Sequence, residues 1–77
     1  MYMAVIYGWT EVQAFSKDKD KAMRLAVKEK KRLCKDDDID RWTWKNCEEY
    51  YGASVYSIKE GMAIVDGEVR KEQKNNK

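Results

Sequence analysis

The side chains best equipped for chemistry in this 77-residue chain are cations that recur at helical spacing: Lys17, Lys21, Arg24, Lys28, Arg32 and Lys35, with Lys31 beside them. Residues three and four apart lie on one side of an α-helix, so these groups form a basic stripe. Ammonium and guanidinium groups one turn apart suit phosphate contacts, and through them a nucleic acid. Such a stripe also serves as an ordinary solvated helix face.

A second group is the acidic turn Asp36, Asp37, Asp38 and Asp40. Asp36, Asp38 and Asp40 match positions one, three and five of a calcium loop. Arg41 stands where that loop needs its glycine, however, and Cys47 where it needs a bidentate glutamate. The run therefore reads as the acidic start of a second helix, with Asp40 as N-cap. A third group is aromatic: Trp42 and Tyr50, set among Arg41, Lys45 and the aspartates, have the composition of a contact hot spot. With Asp37, Asp38 and Leu25, an apolar residue projecting among the bases of the first helix, they are the expected protein-contact residues.

Several chemistries are not expected. The chain has no histidine, no glycine-rich phosphate loop and no nucleophile motif, so it lacks the usual inventory of an enzyme. Cys34 and Cys47 are the two cysteines, with no CxxC pair and too few donors for a zinc site. No metal or cofactor is expected, and the thiols read as buried and reduced, as in a cytoplasmic protein. No apolar run has the length of a membrane span or the pattern of a signal peptide.

The elements that must position these groups follow from periodicity. Between Ser16 and Lys35, Ala22, Met23, Ala26, Val27, Leu33 and Cys34 share one apolar stripe, which predicts a helix with a core side. Ser16 is the expected N-cap. Lys30 falls inside the apolar stripe and must snorkel. A second helix is predicted over Arg41 to Tyr51 with Gly52 as its stop. It turns Trp44, Cys47 and Tyr51 to the core and Trp42 away from it. Tyr2 to Phe15 alternates as one long strand bulged at Gly8, the alternative being a tight hairpin at Gly8-Trp9. Further strands are predicted over Ala53 to Lys59 and Met62 to Val65, with turns at Glu60-Gly61 and Asp66-Gly67. Arg70 to Lys77 reads as a mobile basic tail behind a single domain of residues 1–69.

The order β-α-α-β-β predicts an α+β domain: an antiparallel sheet of about three strands with both helices on one face. Tyr7, Trp9 and Phe15 share one face of the first strand and Ile6 and Val12 the other, and the helices can cover only one, which predicts a homodimer through the uncovered face or a free strand edge. The formal charge of +2 conceals a segregation. Residues 16–35 carry nine basic and three acidic side chains, a net of +6, and residues 36–68 carry three and nine, a net of −6. These features point to a non-enzymatic interaction module or inhibitor that binds another macromolecule, most simply a protein. The alternative is a nucleic-acid binder using the basic face of the first helix. In profile, as a tiny, histidine-free and charge-segregated domain, the chain is similar to small phage or mobile-element proteins that bind and redirect host machinery. That likeness implies an interaction module or inhibitor.

Overall fold

The segment expected to form one long strand folds back on itself. A computed structural model of the chain describes residues 1–59, 62–65 and 68–71. In it β1 (Tyr2–Ile6) and β2 (Val12–Ser16) pair antiparallel, with Ile6 opposite Val12 and Ala4 opposite Ala14. The reversal runs over residues 7–11, and Gly8 within it has a φ of 111°, in the region that residues with a Cβ avoid. A single bulged strand would have needed partners along its whole length. The hairpin instead folds two alternating halves together so that their small apolar residues meet on one face.

β3 (Ala53–Ser57) pairs antiparallel with the other edge of β1, giving the order β2-β1-β3. The fold is therefore the expected α+β arrangement with a three-stranded antiparallel sheet and two helices. The third strand, however, comes from division of the first segment. Met62–Val65, expected in the sheet, is β4, and it pairs with β5 (Glu68–Lys71) in a separate two-stranded ladder. Arg70 and Lys71 belong to β5, while the rest of the basic tail and the turns at 60–61 and 66–67 lie outside the described residues.

One face of the sheet carries the core. Ala4, Ile6, Val12 and Ala14 pack with Ala22, Ala26 and Val27 of α1 (Lys19–Leu33) and with Cys47 of α2 (Trp44–Tyr51). Four of these eight are alanines, which lets α1 lie close to the strands. Burial on the α1 stripe reaches Lys30 and stops, and Leu33, expected on it, is 46% exposed in the last turn. On the opposite sheet face Met3 and Val5 are buried between flanking strands. Tyr7 and Tyr56 join hydroxyls there at 3.1 Å, and Phe15 is 50% exposed. Trp9, expected on this face, lies in the β1–β2 loop instead.

Both helix starts differ from expectation. Asp18 caps α1 by accepting from the Asp20 amide at 3.0 Å, while Ser16 accepts from the Asp18 amide one step earlier, at 3.1 Å. Thr43 caps α2 by accepting from the Asn46 amide, so the helix begins at Trp44, not Arg41, and Asp40 is not its cap. Residues 41–43 are freed to form a loop, closed by Asn46 Nδ2 donating to the Arg41 carbonyl at 2.9 Å. Trp42 can then fold back onto the core. Fully burying a large apolar side chain contributes about 1.5–3 kcal/mol, and the partial burial of Trp42 gains a share of that, against the fraction of a kcal/mol per residue that a longer helix offers through propensity.

Candidate functional site

The sequence places Trp42, Tyr50, the acidic turn and Leu25 in one contact set and the bases of the first helix in another. The structure divides them differently. It builds two surfaces, joined by a polar seam around the buried Lys30.

The seam holds both surfaces in place. Lys30 has 0% of its surface exposed, and it does not snorkel to solvent as expected. Its ammonium donates to the Thr10 carbonyl and sits 4.3 Å from the centroid of the Tyr51 ring. A buried cation is tolerated where it is hydrogen-bonded and faces an aromatic quadrupole. Tyr51 in turn donates its hydroxyl to Asp37 Oδ2 at 2.5 Å, tying α2 to the acidic turn. Burial raises the Tyr51 pKa far above its ordinary value, and the bond to Asp37 adds to this because an ionised phenol could not donate it. Burial also pushes the Cys47 thiol up, partly opposed by the Lys30 charge. Gly8 closes the seam from the hairpin side. A Cβ there would stand 2.7 Å from Tyr51 Cδ1 and 3.0 Å from Lys30 Nζ.

The first surface is a groove of about 590 Å³ between α1 and the loop before α2. Met23, Val27, Trp42 and Trp44 form its floor, and Arg24, Lys28 and Lys31 its rim, with Asp20 at the same opening. Trp42 is half-buried, with its ring 6.3 Å from that of Tyr51 at an interplanar angle of 29°, so it is part of the packing as well as of the groove. Arg24 and Lys28 were expected to contact phosphate and Trp42 to contact protein; here they share one site. Among the described residues Arg24, Lys28 and Lys31 have no ion-pair partner, whereas Arg32 pairs with Glu29 at 3.1 Å. Lys17, Lys21 and Lys35 are exposed and outside the groove, and the exposed Leu25 lines neither surface.

The second surface is an aromatic and acidic corner. Trp9 is 98% exposed at the tip of the hairpin loop, and with Asp37, Tyr50 and Tyr51 it frames a depression of about 420 Å³. Tyr50, 53% exposed, stands edge-on to Tyr51 with ring centroids 4.8 Å apart. It also borders an adjoining hollow lined by Asp38, Asp40 and Glu49. Tyr50, Asp37 and Asp38 were expected together and are together, although Asp37 is half-buried and engaged by Tyr51.

Trp9 is the residue that sequence reasoning missed. Its alternation with Tyr7 and Phe15 placed it on a strand face, and only the reading of Gly8-Trp9 as a hairpin turn would have exposed it. Among the described residues no group of three or more His, Cys, Asp or Glu is arranged to hold a metal ion, and no helix is long and apolar enough to cross a membrane. No protein-family model matches the chain, no curated protein matches it in sequence, and no solved structure matches it.

Proposed function

We propose that this protein is a non-enzymatic interaction module that docks on another protein through the corner formed by Trp9, Tyr50 and the acidic turn. The observation that carries this reading is the 98% exposure of Trp9. Tryptophan is highly buried on average, and its enrichment at interface hot spots reflects the large apolar area it loses to water only when a partner arrives. The seam beneath it supports the reading. Gly8, packed against Tyr51 and Lys30, fixes the base of the loop, so less conformational freedom is lost on docking. Asp38, Asp40 and Glu49 bordering the same corner favour a partner whose contact surface is basic.

The test compares capture from nuclease-treated extract by the wild-type chain and by Trp9→Ala. A protein retained by the first and reduced at least about tenfold by the substitution is expected, with unchanged thermal stability. Capture that disappears on nuclease treatment would overturn the reading in favour of the basic face of α1 and a nucleic acid, and capture that Trp9→Ala leaves intact would overturn the assignment to the Trp9 corner.

A further inference from the structure

We infer that the groove between α1 and the loop before α2 is a second docking site, and that its occupant is a short acidic amphipathic segment of a partner protein. It is separate from the Trp9 corner, so the two proposals stand or fall independently.

The floor and the rim of the groove make different demands on an occupant. Met23, Val27, Trp42 and Trp44 offer an apolar surface that water solvates poorly, and an apolar occupant removes it from water. Arg24, Lys28 and Lys31 lie one turn apart along α1, spanning about 10 Å, with no carboxylate paired to them among the described residues. Carboxylates three or four residues apart on a helical occupant have the same spacing and the opposite sign. One face of such a segment seats its apolar side chains on the floor while its acidic edge follows the rim. Asp20, at the same opening, disfavours a carboxylate at that end.

Other occupants fit less well. A single-stranded nucleic acid held by stacking requires open aromatic faces for its bases, but Trp42 stacks one face toward Tyr51, both indoles are half-buried, and Met23 and Val27 do not stack. A second copy of this chain would have to offer its aromatic and acidic corner, whose Asp38 and Asp40 lie in a loop and Glu49 on α2 instead of recurring along one helix as the rim cations do.

The experiment titrates the isotope-labelled full chain with a set of synthetic fifteen-residue peptides. Their leucines recur at helical spacing, and glutamates flank them. Controls are the same composition scrambled, the lysine counterpart and an oligothymidylate. The expected result is saturable movement of the Trp42 and Trp44 indole signals with that of Trp9 unmoved, and binding at least about tenfold weaker for the scrambled peptides. Replacing Arg24, Lys28 and Lys31 together by Glu should weaken the acidic peptides at least about tenfold and create affinity for the lysine counterpart. All three side chains are exposed, so the fold should survive, and circular dichroism checks it. Equal binding of scrambled and patterned peptides, preferential binding of the oligothymidylate, or no movement at millimolar peptide would overturn the inference. So would a concentration-dependent dimer mass abolished by the triple substitution, which would assign the groove to a second copy. Failure of Trp9→Ala to alter partner capture would leave this result untouched.

Discussion

Lys30 and Lys31 are adjacent in the chain, yet one is sealed in the seam against Thr10 and Tyr51 while the other stands on the rim of the groove in solvent. The seam and the groove rim thus use the same side chain for opposite purposes. In the seam the ammonium is desolvated, and its partners are fixed by three elements: α1, α2 and the β1–β2 loop. Any change there is felt by the whole fold. On the rim, water solvates each cation in the free protein, and the charges add little to stability until something binds. Stability and recognition thus occupy neighbouring faces of one helix and should be separable by substitution.

The largest expected effect breaks the seam at its centre. Lys30→Ala removes a fully buried stem and leaves a cavity between Tyr51 and the hairpin, and it should cost about 2–5 kcal/mol in denaturant unfolding. Lys30→Met keeps the stem, removes the charge and should cost less than half as much, since buried charges are often replaceable by apolar groups of similar size. Lys31→Ala on the rim should stay within about 0.5 kcal/mol. Equal losses for Lys30→Ala and Lys31→Ala would erase the distinction between the two regions.

A smaller effect comes from the hairpin side of the seam. Gly8→Ala places a Cβ against Tyr51 Cδ1 and Lys30 Nζ at a φ of 111°. Strain of this kind costs about 1–3 kcal/mol, and it should also shift the Trp9 signal by moving the loop. Retained stability would show that the loop yields independently of the seam.

The smallest effect is read through pH. Tyr51→Phe removes the bond to Asp37 and keeps the ring under Lys30, and it should cost about 1–2 kcal/mol at neutral pH. In the wild type the Tyr51 pKa is raised above its ordinary 10.0. The folded state therefore holds the phenolic proton more tightly than the unfolded state. Its contribution is fully present below about pH 10 and is lost as pH rises toward the folded value. Tyr7, raised by its bond to Tyr56, and Cys47, raised by burial, act in the same direction. Unfolding midpoints should fall above about pH 9–10, and Tyr51→Phe should flatten that fall. An alkaline profile identical in the variant would remove Tyr51 from the account.

How much of this was legible in advance differs by residue. The stripe of Ala22, Ala26 and Val27 was legible because a helix in contact with a sheet must repeat near every 3.6 residues. Its basic outer face was legible for the same reason. The strand alternation gave Ala4, Ile6, Val12 and Ala14 a common face, and that survived the change from one strand to two, because reversal in the observed register keeps them in phase. The stop at Gly52, with its φ of 87°, was readable from the glycine alone.

By itself the sequence determined the α+β class, the core side of α1 and the segregation of charge, since each depends on local periodicity or composition. Tertiary structure alone decided that Gly8 turns the chain, that Trp42 leaves the helix to pack near Tyr51, and that Lys30 is buried while its neighbour is not. It also decided that Trp9 is exposed and that Trp42 shares a groove with Arg24 and Lys28. Each of these depends on which of two locally acceptable conformations finds a partner across the fold. Local sequence offered both a bulge and a hairpin at Gly8. The choice fell to contacts between residues far apart in the chain, such as Lys30 with Thr10 and Tyr51, whose free energy no single segment contains.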